Sequence, residues 1–166
     1  MSLIINKINI VFLLFIGGMF MSIDKSAEWW KGNGIEDIKE YLISYSEDSY
    51  PIQKVIISKC NKCDSVEFLV EFDGNEGATR IICTSCKEVK YLADSKEYWE
   101  DVELEKYKCI ECKSTHANVG TGFTYREGGD IKWVYIGVRC AKCGILGSVA
   151  DWKIDYGPTT ELEKNV

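Results

Sequence analysis

Two stretches of the chain alternate apolar and polar residues with the period of a β-strand. In the first, "SVEFLVEFDGNEGATRII", alternate positions from Val66 to Phe72 are apolar, and a polar, glycine-containing stretch at residues 73–77 interrupts the run. Successive side chains of a strand point to opposite faces, so this pattern predicts two half-buried strands joined by a turn. The first stretch therefore predicts a β-hairpin.

The second stretch, "HANVGTGFTYREGGDIKWVYIGVR", repeats the plan at greater length. Alternate positions from Val119 to Tyr125 are apolar or β-branched, a Gly-Gly turn follows at residues 127–130, and alternation resumes from Ile131. This pattern predicts a longer hairpin. A short apolar segment follows each hairpin, "EVKYL" after the first and "ILGSV" after the second, and each predicts a third strand.

A helical period precedes the first hairpin, in "GIEDIKEYLISYS". Its apolar residues, Ile35, Ile38, Tyr41, Leu42 and Tyr45, recur at the spacing of one helix face. Two acidic residues, Glu36 and Asp37, fall in the first turn, where the helix dipole favours them. We predict a short amphipathic helix and then a strand in "IQKVIIS", with residues 35–58 packed on the first hairpin.

The first twenty residues form an apolar run with Lys7 as its one charge. A basic end before an apolar segment is typical of a secretory signal or anchor, although no small-residue cleavage site follows and the run is short for a membrane span. Alternatively, the codons of Gly17 and Gly18 can spell a ribosome-binding core, GGAGG, and translation would then begin at Met21. A buried helix is the third interpretation.

The candidate chemistry lies in eight cysteines, all in C-x-x-C pairs. They are Cys60, Cys63, Cys83, Cys86, Cys109, Cys112, Cys140 and Cys143. A two-residue gap lets one turn present both sulfurs to a tetrahedral metal, so the spacing predicts two structural Zn²⁺ sites. Iron takes the same four-thiolate geometry and is not excluded. Redox pairs and disulfides are alternatives that this single repeated spacing disfavours.

Four pairs can form two sites in three ways, and an internal repeat favours one of them. "CTSCKEVKYLADSK" and "CAKCGILGSVADWK" match at equal offsets from their cysteines. The matched residues are Ala93, Asp94 and Lys96 in the first copy and Ala150, Asp151 and Lys153 in the second. One folding unit used twice predicts sequential pairing of the cysteine turns, with an interleaved, RING-like arrangement as the alternative. We expect the matched aspartates to cap the end of the third strand or to accept a hydrogen bond from a backbone amide of a C-x-x-C turn, called a knuckle below.

Each unit resembles a zinc ribbon, in which two cysteine knuckles lie at the ends of a small antiparallel sheet. The resemblance implies a mainly β, metal-bound protein: two tandem three-stranded ribbons behind an N-terminal amphipathic helix. The expected segments are a hydrophobic leader or upstream sequence at 1–20, helix and strand at 21–58, ribbon 1 at 59–98, an acidic linker at 99–106, ribbon 2 at 107–156 and a tail at 157–166. Sheets this small need their metal for stability.

Charge and site chemistry then restrict the function. The formal net charge is −6, and two zinc ions bound by eight thiolates would lower it to about −10. A site closed by four sulfurs has no open position for substrate, and the single histidine, His116, sits beside a knuckle without a catalytic motif. We therefore expect a non-catalytic protein without a small-molecule substrate.

Recognition of a basic protein is the function that fits the remaining features. The candidate partner-binding residues are Trp29, Trp30, Trp99, Glu100, Asp101, Glu103, Trp133 and Trp152. In style the chain resembles small acidic bacterial immunity or antitoxin proteins, which implies inhibition or regulation of a basic partner. Nucleic-acid binding is the alternative, which the negative charge disfavours. Metal-spaced cysteines suit a reducing cytoplasm; export or anchoring through residues 1–22, with a membrane contact at residues 8–20, is the other possibility.

Overall fold

The computed structural model describes residues 23–166, and the apolar segment at residues 1–22 lies outside the described residues. The strands are β1 (Ile23–Asp24), β2 (Lys31–Gly32), β3 (Lys54–Ile57), β4 (Phe68–Asp73), β5 (Ala78–Cys83), β6 (Val89–Tyr91), β7 (Glu105–Lys106), β8 (Ala117–Tyr125), β9 (Ile131–Cys140) and β10 (Leu146–Lys153). The α-helices are α1 (Asp37–Ser46) and α2 (Ser95–Tyr98), and 3-10 turns cover Trp99–Asp101 and Leu162–Asn165. The described chain is mainly β.

Both predicted hairpins are present, and each carries the predicted third strand. β4 pairs antiparallel with β5, and β6 extends that pair to form the first unit. β8 pairs antiparallel with β9, and β10 extends it to form the second unit. In the hairpin registers Phe68 faces Cys83 and Ala117 faces Cys140, so each hairpin ends where its cysteines lie.

The two units are not the separate three-stranded ribbons that the sequence predicted. Phe68 of β4 pairs with Ala117 of β8, which joins the units edge to edge. β3 pairs with β8 and β7 pairs with β4, so the whole forms one eight-stranded sheet. A three-stranded sheet leaves unpaired backbone groups at its edges. Here β3 pairs with the free edge of β8, β7 pairs with that of β4, and the Phe68–Ala117 pair joins the two units between them.

One hydrophobic core is shared between the two units. The buried cluster contains Phe68 and Ile81 from the first unit and Phe123, Val134 and Trp152 from the second. Their exposed fractions range from 0 to 6%. Pooling apolar surface in this way gives a larger core than either small sheet can bury alone. Packing in this shared core therefore stabilises the fold independently of the cysteine clusters.

The predicted helix is present as α1, but it packs on the second unit and not on the first. Ile38 and Leu42 of α1 are fully buried and contact Ile52 and Tyr135. The following strand, β3, pairs with β8 of the second unit as well. The expectation that residues 35–58 pack on the first hairpin is wrong, because the glycine-rich face of the second hairpin is the surface that admits a helix closely.

The face of the second hairpin that α1 covers contains Gly120 and Gly137, which lie opposite each other on β8 and β9. A Cβ built on Gly137 would lie 2.7 Å from Cγ of Leu42, and one built on Gly120 would lie 2.7 Å from Cγ2 of Ile38. Both distances are shorter than ordinary van der Waals contact. The two glycines therefore set how near α1 comes to the sheet.

We expect Gly137→Ala to destabilise the zinc-loaded protein by about 1–3 kcal/mol, because the new methyl group overpacks the buried Leu42 side chain. Gly147→Ala in the neighbouring strand is the matched control, since its Cβ would come no nearer than 3.9 Å to Val138. Urea unfolding of both variants measures the difference. Equal midpoints for the two variants would show that α1 shifts outward without cost.

The expected acidic linker and tail are parts of the folded body. Residues 99–106 contain a 3-10 turn and β7, whose residue Glu105 pairs with Phe72 of β4. In the tail, the Asn165 carbonyl accepts a hydrogen bond from the Ala93 amide at 3.1 Å, and the Asn165 side-chain amide donates to the Ala93 carbonyl at 3.1 Å. Both segments are therefore held against the first unit. No helix of the described region has the length and apolar character needed to cross a membrane.

Candidate metal centres

Each C-x-x-C pair forms the same tight turn. In the first, the Cys60 amide donates to the Ser65 carbonyl at 2.8 Å and the Asp64 amide donates back to the Cys60 carbonyl at 2.9 Å. The other three turns repeat both hydrogen bonds at equal offsets. The fourth residue after the first cysteine has a left-handed backbone in every turn, with φ from 61° to 82° at Asp64, Lys87, Lys113 and Gly144. Four equal knuckles result.

The knuckles combine in sequence order. Cys60, Cys63, Cys83 and Cys86 form one cluster, and Cys109, Cys112, Cys140 and Cys143 form the other; within each cluster all sulfurs lie within 4.8 Å of one another. This confirms sequential pairing and excludes the interleaved arrangement. Both clusters lie at one end of their own hairpin, because β5 and β9 each end on a cysteine.

The sulfur separations fit a shared metal and do not fit disulfides. Cys60 Sγ lies 3.5 Å from Cys86 Sγ, and Cys112 Sγ lies 3.5 Å from Cys140 Sγ. A disulfide bond is about 2.05 Å long. Four sulfurs at about 2.3 Å from a central Zn²⁺ lie about 3.8 Å apart, which is close to the observed spacing. Each cluster can therefore hold one tetrahedral metal ion.

Backbone amides favour the thiolate form of Cys83 in the first cluster and of Cys140 in the second. The amides of Cys86 and Ser85 donate to the Cys83 sulfur and lower the pKa of that thiol to about 6. At Cys140, burial raises the pKa, but the amides of Cys143 and Lys142 outweigh it and bring the pKa to about 6. A metal binds the thiolate and not the thiol, so these amides favour the binding-competent form at Cys83 and Cys140. The pKa of Cys63 and that of Cys143 are raised to about 12 instead. At Cys63 the Ser65 amide lowers the pKa, but hydrogen bonds to neighbouring thiols outweigh it, and at Cys143 burial is the main cause of the raised pKa.

The knuckles also anchor neighbouring segments of the chain. The Gly32 amide of β2 donates to the Gly144 carbonyl at 2.9 Å, and the Leu146 amide donates to the Trp30 carbonyl at 2.9 Å. Tyr107 packs against Cys109 and Cys140, and its burial, with these two thiols, raises its pKa. His116 lies beside the third knuckle and contacts Glu67 Oε1 through Nδ1 at 2.7 Å. The two hydrogen bonds of Gly32 and Trp30 thus tie the N-terminal segment to the fourth knuckle.

Two of the predicted partner-binding residues border open grooves. Trp29 is 42% exposed and Trp30 is half-buried, with its ring edge-on to Tyr41 at 5.9 Å. One groove of about 320 Å³ is lined by Trp29, Trp30, Tyr41, Tyr45 and Leu146, and a second of about 340 Å³ is lined by Trp29, Phe72, Tyr107, Ile110 and Val149 among others. We call these the Trp29 grooves.

The other tryptophans are used within the protein. Trp152 is 6% exposed and belongs to the shared core. Trp133 stacks on Tyr50 at 4.5 Å between ring centroids. The Arg80 guanidinium lies 4.7 Å from the Trp99 ring centroid. Trp152 therefore keeps little exposed surface.

The acidic members of the same set remain in solvent. Glu100, Asp101 and Glu103 are all exposed. The Glu103 backbone amide donates to Oδ2 of Asp73 at 2.8 Å, which ties the acidic segment to the end of β4. The segment is therefore an ordered acidic surface.

The repeated aspartates do not cap the strand exits or bond knuckle amides, as the sequence suggested. Asp94 Oδ1 accepts a hydrogen bond from the Trp152 indole at 2.9 Å, and its Oδ2 accepts one from the Tyr156 hydroxyl at 2.9 Å. Asp151 Oδ1 accepts one from the Trp133 indole at 2.9 Å. Both aspartates thus bind tryptophan side chains, and Asp94 links the two units.

The two four-cysteine clusters, each closed by equal knuckles at the end of a hairpin, are consistent with tandem zinc-ribbon-like sites. This interpretation rests on local geometry and donor chemistry. Comparison with protein-family models, curated proteins and solved structures finds no match to this chain.

Proposed function

We propose that the protein is a non-catalytic zinc protein that carries two structural zinc ions and acts by binding a basic protein partner. Four thiolates per cluster leave no ligand position for substrate, which supports a structural role for the metal. Four cysteine thiolates are a usual donor set of structural zinc, which is redox-inactive and takes tetrahedral geometry, and this supports zinc as the metal. Cysteines kept as thiolates suit a reducing compartment, which supports a cytoplasmic location.

The observation that carries the recognition proposal is the position of Trp29. Its ring is 42% exposed and stands between the two Trp29 grooves. The lining of both grooves is mainly apolar, and Lys106 and Lys108 also border the second. A large aromatic side chain left in solvent beside such grooves is characteristic of a binding anchor. The negative net charge of −6 favours a partner of opposite sign. An immunity-type inhibitor of a basic enzyme has these properties.

Nucleic-acid binding is less well supported. Tyr125 donates to Glu163 Oε1 at 2.6 Å, Tyr135 is 2% exposed, and Trp133 is stacked within the fold. Arg139 bonds the carbonyls of Gly32 and Asn33 and the side chain of Asn118. Side chains engaged in this way are not free to stack bases or neutralise phosphates.

We expect Trp29→Ala to weaken capture of the partner from extracts of the source cell at least about thirty-fold, since central aromatic anchors contribute about 2 kcal/mol or more. Immobilised zinc-loaded protein is the bait, and captured protein is quantified by mass spectrometry with and without nuclease. Leu104→Ala, 47% exposed and outside the grooves, is the matched control. Capture that nuclease abolishes, or a steeply salt-dependent affinity for DNA or RNA, would contradict the proposal.

A further inference from the structure

A cavity of about 340 Å³ lies away from both metal clusters, between the β4–β5 turn, α2 and the end of β10. Its charged lining consists of Asp73, Glu76, Asp94, Asp101, Asp155 and Lys153. The Lys153 ammonium is 2.6 Å from Asp155 Oδ1 and so is already paired. The cavity therefore has an excess of four carboxylates over ammonium groups.

Two of these carboxylates are buried without a cation. Asp73 is 1% exposed and Asp94 is 5% exposed. Neither forms a salt bridge with a lysine or arginine of the described residues. Taking a carboxylate out of water is costly unless hydrogen bonds or an opposite charge compensate it, so the structure must stabilise both groups in another way.

Neutral donors supply part of that compensation. Asp73 accepts hydrogen bonds from the amides of Asn75, Glu76 and Glu103, at 2.8–3.1 Å. Although burial raises the pKa of Asp73, these amides lower it below its ordinary value. Asp94 accepts from the Trp152 indole and the Tyr156 hydroxyl. A carboxylate offers about four lone-pair sites, so Asp94 retains acceptor capacity beyond its two bonds.

Aromatic side chains complete the lining. Trp152, Tyr98 and Tyr156 border the cavity, and the two tyrosines are 50% and 38% exposed. Carboxylates and aromatic rings in the same lining match the guanidinium of arginine. That planar group has five donors, is weakly hydrated and stacks on rings.

We propose that this acidic cavity binds an arginine side chain on the surface of the basic protein partner. The inference rests on the proposed function and adds the chemistry of one contact. The cavity and the Trp29 grooves are separate sets of residues, with none in common. They therefore form two contact sites, one for an arginine and one for an apolar group.

The test titrates zinc-loaded, full-length protein with the capped tripeptide acetyl-Gly-Arg-Gly-amide while tryptophan indole resonances are followed by NMR. The matched peptide carries citrulline, which has the shape of arginine without its charge. We expect saturable movement of the Trp152 indole resonance with arginine and binding at least about ten-fold weaker with citrulline, because the charge-assisted hydrogen bonds are lost. Equal responses to both peptides would overturn the proposal.

A pair of double variants separates local from overall charge. Glu76→Gln with Asp101→Asn removes two exposed carboxylates of the cavity, and we expect about five-fold weaker arginine binding or more. Glu47→Gln with Asp48→Asn makes the same charge change at exposed residues outside the cavity and should leave binding unchanged. An equal loss in both double variants would show diffuse attraction only and sink the proposal.

Competing ligands are tested in the same way. Tighter binding of spermidine or Ca²⁺ than of the arginine peptide, at the same Trp152 resonance, would assign the cavity to a small cation and overturn a protein contact. The capture experiment with Trp29→Ala tests the proposed function separately. Partner capture that survives the Glu76→Gln/Asp101→Asn change but not Trp29→Ala would leave the proposed function standing and refute the cavity as a partner contact.

Discussion

Removal of metal from both clusters is expected to abolish the near-ultraviolet circular dichroism of the tryptophans. A structural zinc site contributes about 10–16 kcal/mol, whereas the net stability of a domain is about 5–15 kcal/mol. Loss of even one site thus removes a free energy as large as the whole net stability of a domain. A strong chelator, a colorimetric zinc assay and circular dichroism in the same titration measure both quantities.

The shared core sharpens this prediction. Cys83 ends β5 and is fully buried beside Phe68 and Ile81, which contact the second unit. We therefore expect Cys83→Ser, which disables the first cluster alone, to unfold the second unit as well. Independent ribbons would instead keep the second unit folded around its own metal. Indole resonances of Trp133 and Trp152 distinguish these two results.

Ser85→Ala is the control for that variant, since Ser85 is exposed and lies in the same knuckle without being a ligand. It should bind two metal ions and keep the wild-type spectrum. Extraction of two zinc equivalents with an unchanged near-ultraviolet signal would refute the structural role of the metal. A metal content of two iron ions would leave the fold argument intact and correct the proposed metal.

The metal ligands could be predicted because their geometry is local. Each C-x-x-C turn is fixed by hydrogen bonds within six residues, such as that from the Cys60 amide to the Ser65 carbonyl. Alternation of apolar residues likewise determined both hairpins within single stretches of chain. Pairing of the knuckles needed the internal repeat, because the spacing of cysteines alone leaves three arrangements open.

Contacts between distant residues could not be predicted. The Phe68–Ala117 pair that merges the units joins residues from different hairpins and leaves no periodic signal. Asp94 bonds Trp152 across 58 positions of the chain, and the repeat, which matched Asp94 with Asp151, did not reveal this contact. The acidic cavity was missed for the same reason, since Asp73, Asp94 and Tyr156 come from three separate segments.

Substitution of Gly77 by alanine is expected to be the most damaging change outside the metal ligands. Gly77 has φ of +83°, in the left-handed region that an alanine adopts with strain. A Cβ at this position would lie 2.2 Å from Cβ of Trp152 and 2.7 Å from its Cγ. Because Trp152 is part of the shared core and bonds Asp94, it has little room to move.

We expect Gly77→Ala to destabilise the zinc-loaded protein by about 3–5 kcal/mol, the combined cost of left-handed backbone and overpacking. The turn of the second hairpin supplies two controls that divide this cost. Gly129 has φ of +88° with nothing within 4 Å of a built Cβ, so Gly129→Ala should cost about 1 kcal/mol through the backbone alone. Gly128, which has the same open surroundings without the left-handed φ, should tolerate alanine within about 0.5 kcal/mol.

Urea unfolding at saturating zinc compares the free energies of unfolding of the three variants. The Trp152 indole resonance shows whether the Trp152 side chain moves. An equal loss of unfolding free energy in Gly77→Ala and Gly129→Ala would mean that the Trp152 side chain moves aside without an energetic penalty. The two units would then be only loosely joined. A cost several times larger means that Gly77 and Trp152 form a rigid contact between the first hairpin turn and β10. That contact borders the acidic cavity, so a rigid result also implies that the carboxylates of Asp73 and Asp94 are held in place before any cation arrives.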